Sequence, residues 1–318
     1  MIRGLARTFP YLLLFPAILP LVYWNGLLYP FLTLKTLLFR GDAILALAIF
    51  VALLLAGHSF YTMRLRNWRT WIPGALLVLA YLSSLLGVDF YHSCWSIFDR
   101  GDGLLTLTGI VLFFYLIVLY ADKAFIERLL KVVVSVASVV ALVSVLQWFE
   151  TISGVNLPFV PQASGRIGGT LGNAAYLASY LGITFFVTLS ILPSRRGRGR
   201  TATLVGAALQ IFAIIGTATR GSFIALLLAA FFALVFTAWK GDSYRTWARA
   251  GLVGILILSG LFFAFHGQLA SVPFEPVSRL ASISLADKTV ESRLFIWGNV
   301  ISEPLARPLG VGAEHIQT

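Results

Sequence analysis

Long apolar stretches, each ended by a short charged segment, set the rhythm of this chain. Residues 8–34, 43–63, 70–88, 103–121, 132–149, 167–194, 201–219, 221–239 and 250–274 contain no Asp, Glu, Lys or Arg. A helix crosses a bilayer with about 20 apolar residues. Each of the nine stretches holds 18 or more. Hydrocarbon offers no water to backbone amides, so each segment must satisfy its own, as a helix does. Barrel strands would be about half as long and would alternate polar with apolar. The pattern predicts an all-α polytopic helical membrane protein. About nine transmembrane helices lie within 1–266, and 267–318 forms an outer segment. Pro10, Pro16, Pro20 and Pro30 predict a kinked or broken first span. That stretch is too long for a signal-peptide core and no small-residue cleavage site follows, so it is read as a span that stays attached.

Composition agrees: 58% of residues are hydrophobic and 12% charged, with a mean hydropathy of +0.88. The net charge of +11 does not point to nucleic acid, because its distribution follows the membrane. Nine alternating spans put 15 basic residues and only three acids, Asp122, Glu127 and Asp242, on one side. The positive-inside rule makes that side cytoplasmic, which places the N-terminus inside and the C-terminal segment outside. The run Ser194–Arg200 (SRRGRGR) is read as topogenic charge. Trp68, Trp71, Trp148, Trp239 and Trp247 fall at predicted span ends, as an aromatic belt does. The single cysteine, Cys94, excludes an internal disulfide and most thiolate metal sites.

Candidate chemistry lies in the outer loops. Residues 150–173 (ETISGVNLPFVPQASGRIGGTLGN) are rich in Gly, Pro, Ser and Asn and lead into a hydrophobic helix. Gly168, Gly169 and Gly172 let backbone N–H groups turn towards a ligand, Thr170 lies among them, and Asn173 is a good helix cap. With Arg166 beside it, such a helix start reads either as an anion site or as a plain cap with a snorkelling arginine. Arg220 is the only charge between Thr201 and Trp239, inside Thr217-Ala-Thr-Arg-Gly-Ser222. It predicts a very short outer turn with a guanidinium at or just below the membrane surface; an interfacial anchor is the cheaper alternative. Arg100, within Asp99-Arg-Gly-Asp102, and Arg293, within Glu291-Ser-Arg-Leu294, repeat the habit. Four arginines from four segments suit a polyanion held at the surface. All acids fall outside the nine stretches, so no buried carboxylate is expected, and His58 and His266 are read as packed residues near span ends. No HExxH, Ser-nucleophile elbow, P-loop or metal-spaced cluster is present.

The ordered set Arg166…Gly169-Thr-Leu-Gly-Asn173, Ala174-Ala-Tyr-Leu-Ala-Ser-Tyr180 and Thr219-Arg-Gly-Ser222 resembles the O-antigen ligase and O-antigen polymerase superfamily of bacterial envelope enzymes. Gly87–Gly103, Glu291–Trp297 and Arg307-Pro-Leu-Gly-Val-Gly312 resemble further segments of it, and the likeness covers essentially the whole chain. It implies a reaction: a glycan passes from an undecaprenyl diphosphate carrier to an acceptor hydroxyl on the outer face of the bacterial cytoplasmic membrane, without metal or other cofactor. It implies Arg166, Arg220, Arg100 and Arg293 as diphosphate ligands. Acceptors in the family include lipid A-core, another glycan, and protein serine or threonine. The family's outer loop normally continues to a His-Asn pair and further spans, so by this resemblance the chain reads as C-terminally truncated. His315 comes too early to match the family's base and carries little weight as one. Two other readings stand beside the enzyme. A lipid-linked sugar transporter or flippase predicts inverted repeats and mid-membrane charge, and neither is found. A non-catalytic remnant would bind the carrier without turnover.

Overall fold

The computed structural model describes residues 2–97, 101–162, 166–240, 244–282 and 288–315, the side chains of 288–289 and 302–306 excepted. Among them the chain is helical and holds no strand. In order the helices are α1 (Ile2–Leu14), α2 (Thr33–Leu55), α3 (Ile72–Leu85), α4 (Phe90–Trp95), α5 (Leu104–Tyr120), α6 (Lys123–Ser153) and α7 (Ala174–Ile191). They continue as α8 (Gly197–Gly216), α9 (Arg220–Lys240), α10 (Arg245–Ala264), α11 (His266–Ala270), α12 (Glu275–Ala281) and α13 (Lys288–Ala306). Six of these regions, in α2, α6, α7, α8, α9 and α10, are long and apolar enough to cross a membrane, and α5 is a shorter apolar helix. Each of the nine expected stretches therefore carries a helix, but α1 and α3, with 13 and 14 residues, are too short to cross alone. The chain divides into two compact units, Met1–Val136 with Lys288–Thr318, and Ala137–Asp287.

In the first unit, the expected break in the first span is present. α1 gives way at Phe15–Leu21 to a 3₁₀ turn that contains Pro16 and Pro20, whose nitrogens cannot donate to a helix ladder. The core gathers around Phe9, fully buried, with Tyr120 at 5.1 Å and Phe50 and Phe60 each at 6.3 Å between ring centroids. Such offset and edge-on aromatic pairs add to the stabilisation that comes from area burial.

α2 departs from expectation. It starts ten residues before the predicted stretch at 43, so Lys35, Arg40 and Asp42 lie in its first half and not in an outer loop. The fold answers the second of these charges. Arg40 Nε donates to Thr106 Oγ1 at 3.0 Å and Nη2 to the Gly101 carbonyl at 3.0 Å. Asp42 is a buried carboxylate in an apolar helix, only 7% exposed, which corrects the expectation that every acid lies outside the spans. The other end stops early. Gly57 has φ +79°, its N–H reaches Leu54 O at 3.0 Å, and His58 N–H reaches Leu53 O at 2.9 Å. That paired closure around a left-handed glycine is a Schellman motif. It puts His58 just beyond α2, its ring 5.2 Å from that of Phe60.

The second unit is built on α6 to α12. α7 and α8 are joined inside the apolar layer by a buried amide: Thr184 Oγ1 donates to Gln210 Oε1 at 3.3 Å, and Gln210 Nε2 donates to Thr188 Oγ1 at 3.0 Å. Hydrogen bonds of this kind hold helices together where no hydrophobic force distinguishes protein from lipid. Gly206 lets α8 approach α6 closely, since a Cβ there would run into Ser138 Oγ. α9 pairs with α10 yet has no buried residue along its length.

Candidate functional site

In the second unit, α6 supplies the seat for the loop that the sequence singles out. Ser144, Gln147 and Trp148 lie on neighbouring turns of α6, where positions three and four apart share a face. Gln147, 2% exposed, accepts the Gly168 and Gly169 N–H groups through Oε1 at 3.0 and 2.8 Å. Its Nε2 donates to the Pro161 carbonyl at 2.5 Å. Gly169 adopts φ +53°, and a side chain there would meet Ser144 Oγ. Both constraints require glycine.

This geometry corrects one expectation and supports another. The Gly168 and Gly169 N–H groups are taken by Gln147, and the Gly172 N–H bonds back to Gly168 O at 3.0 Å. They do not face a ligand. Thr170 is buried beside them. Asn173 caps α7 as expected: its Oδ1 accepts from Ala175 N at 2.8 Å and from Tyr176 N at 3.4 Å. What the loop presents outward is the side chain of Arg166, which is exposed.

The loop then meets the second arginine. Ile167, buried, packs on Gly216, where an added Cβ would sit 2.8 Å from Ile167 Cδ1 and 2.9 Å from the Trp148 ring. Gly216 ends α8, the very short turn Thr217–Thr219 follows, and Arg220 opens α9. The fold thus brings the Arg166 loop against the turn that carries Arg220. Arg220 Nη2 donates to Ser282 Oγ at 3.1 Å, just past α12. Phe274, before α12, packs against Trp148 with ring centroids 6.0 Å apart and the planes tilted by 38°. On α12, Arg279 pairs with Glu275 at 3.1 Å, and its backbone carbonyl accepts from Ser282 Oγ at 3.2 Å. Arg279, which the sequence alone does not single out, joins this cluster through its backbone carbonyl, while Glu275 holds its guanidinium. Its only signal in the sequence is the Glu275–Arg279 spacing of one helical turn.

Arg220 stands where a cation is least welcome. The first turn of a helix carries partial positive charge and N–H groups with no partner within the helix. A guanidinium there favours an anion that can answer both. Below Arg220 an apolar groove of about 260 Å³ runs between α7, α8 and α9. Ala178, Gly182 and Ile183 line one wall, and Ser222, Ala225 and Ala229 the other.

Three candidates remain. Arg100 falls outside the described residues. Arg293 is exposed on α13, in the first unit. His315, also in the first unit, is 5% exposed. Its Nδ1 lies 2.8 Å from the Ala313 carbonyl and 3.3 Å from Ser93 Oγ, and its ring is 5.2 Å from that of His92. The segment before it is latched too: Ala313 N donates to Ser84 Oγ at 3.1 Å, and Val88 N to Val311 O at 3.1 Å. His315 is a packed residue. Among the described residues no group of three or more His, Cys, Asp or Glu side chains is placed to hold a metal.

Residues 205–318 match the O-antigen ligase family. The matched region takes in Arg220, Arg279, Arg293 and His315; Arg100 and Arg166 precede it. No curated protein and no solved structure matches the chain.

Proposed function

With residues 205–318 supporting membership of the O-antigen ligase and polymerase superfamily, whose general activity is glycosyl transfer, we propose that this protein moves a glycan from undecaprenyl diphosphate to an acceptor hydroxyl on the outer face of the bacterial cytoplasmic membrane. The observation that carries this is the packing of Ile167 on Gly216, which seats the Arg166 loop against the Arg220 turn. Arg166 and Arg220 hold the diphosphate, and Ser282 steadies the Arg220 guanidinium. The groove below Arg220 receives the first part of the prenyl tail.

Such a site answers the charge that the reaction develops. The acceptor oxygen bonds to the anomeric carbon, and the bond from that carbon to the diphosphate oxygen breaks. The hydroxyl proton passes to a base. Negative charge grows on the departing diphosphate, and preorganised guanidinium groups stabilise it more as it grows. A poorly hydrated membrane surface strengthens that effect.

The test is glycan transfer by Arg166→Ala and Arg220→Ala variants at matched membrane levels. Each variant should lose about 10²–10³ in rate, as when one preorganised donor is removed. Lysine should restore little, because an ammonium lacks the planar fork. Near-normal transfer in both alanine variants would make these residues interfacial anchors and overturn the reading.

A further inference from the structure

We propose that Gln147 is a positioning residue for the anion site, acting through Arg166. The inference rests on the reading of Arg166 as a diphosphate ligand. Gln147 is not catalytic; nothing in its surroundings lets it reach a substrate.

A glutamine buried in an apolar helix needs partners, because each unsatisfied polar group there costs several kcal/mol. In membrane helices that partner is commonly another helix, as Gln210 shows between α7 and α8. Gln147 differs. All three of its hydrogen bonds run to one loop, and they grip it at two points, Pro161 and the Gly168–Gly169 pair. The orientation of the amide is fixed by those partners, since two N–H donors require the oxygen and a carbonyl requires the nitrogen.

Arg166 lies between the two grips, two residues before Gly168. Its side chain is exposed and long, so its direction depends on how firmly its backbone is held. Downstream, the Gly169 turn is closed by Ser144, which occupies the space a side chain would need. Ile167 locks the same stretch onto Gly216. One buried amide thus sets where the Arg166 backbone stands relative to the Arg220 turn. Leucine fills the volume of Gln147 without the bonds. It leaves two buried N–H groups without partners and frees the loop at both ends.

The experiment measures binding of undecaprenyl diphosphate to the full chain in nanodiscs. Gln147→Leu should weaken binding about tenfold, comparable to losing a well-placed contact. The deciding readout is a pair of double-mutant cycles. On an Arg166→Ala background Gln147→Leu should add no further loss; on an Arg220→Ala background it should add its full effect. Gly169→Ala, which disturbs the same turn while leaving the Gln147 amide in the chain, should repeat that pattern and guards against a poorly folded Gln147→Leu. Equal losses on both backgrounds would mean general structural damage and overturn the positioning role, as would unchanged binding in Gln147→Leu. Unchanged binding in Arg166→Ala itself would instead sink the diphosphate reading of that residue.

Discussion

Ser282 shows how much of a guanidinium's usefulness depends on a neighbour. Its hydroxyl accepts from Arg220 and donates to the Arg279 carbonyl, so one small side chain ties the α9 start to the end of α12. Removing it leaves both arginines in place but takes one partner from the Arg220 guanidinium. A hydrogen bond to a charged group is worth about 1.5–3 kcal/mol when fully buried and less where solvent reaches it. Ser282→Ala should therefore weaken carrier binding by roughly tenfold or less, well short of the loss in Arg220→Ala. Titration of both variants checks the order; an equal or larger loss in Ser282→Ala would remove Arg220 from the site. The glycines teach the same lesson from the backbone side. In sequence, Gly168 and Gly169 read as N–H groups free for a ligand. That reading misses Gln147, some 20 residues upstream, because no local pattern announces that a side chain on α6 will consume them.

At the scale of elements, apolar runs locate helices well and bound them poorly. Nine stretches yield helices in order, yet α2 begins ten residues early and ends at Leu55, well short of 63. The reason is physical. A run without charge marks where hydrocarbon is tolerated, whereas a helix ends where its backbone finds a closure. For α2 that closure is Gly57; at its start, Arg40 survives inside the helix because it finds Thr106 and Gly101. Arg40→Ala should loosen the start of α5, and faster amide exchange over 101–107 than in the wild type is the expected sign. Unchanged exchange there would mean the bonds hold nothing. The α6–α8 contact offers a sharper test. Gly206→Val places bulk on Ser138 and should cost about 1–3 kcal/mol by overpacking, seen as a lower unfolding temperature in detergent. Adding Ser138→Ala should recover part of it. No recovery would show that the two helices do not meet at that point.

For the whole molecule, the all-α membrane class was legible from charge-free length alone, and the Arg166, Asn173 and Arg220 positions from their local sequence. The grouping of Arg166 with Arg220 was not, since it depends on Ile167 meeting Gly216 across 49 positions of chain. Orientation was legible only as an expectation from the basic-residue count. Reporter fusions test it: one after Arg198 should report the cytoplasm and one after Lys288 the outside. The same compartment for both would break the alternation. Salt gives a second check at this scale. If exposed arginines hold a diphosphate, carrier binding should weaken as ionic strength rises, since such contacts are screened within about 8 Å at physiological salt. Salt-independent binding would assign the affinity to the tail alone.

α9 has no buried residue, and a cation stands at each end of it, Arg220 and Lys240. Its 21 residues span about 31 Å at 1.5 Å each, close to the roughly 30 Å of a bilayer's hydrocarbon core. Packed along α10 but with no residue fully buried, this helix takes part of its height from the lipid, as a moored float does. A thicker membrane would draw Arg220 inward and a thinner one would lift it clear, each at a fraction of a kcal/mol per Å. The protein reconstituted in bilayers of graded acyl length should therefore show a maximum of the proposed transfer at intermediate thickness, and a flat profile would mean that neighbouring helices alone hold α9.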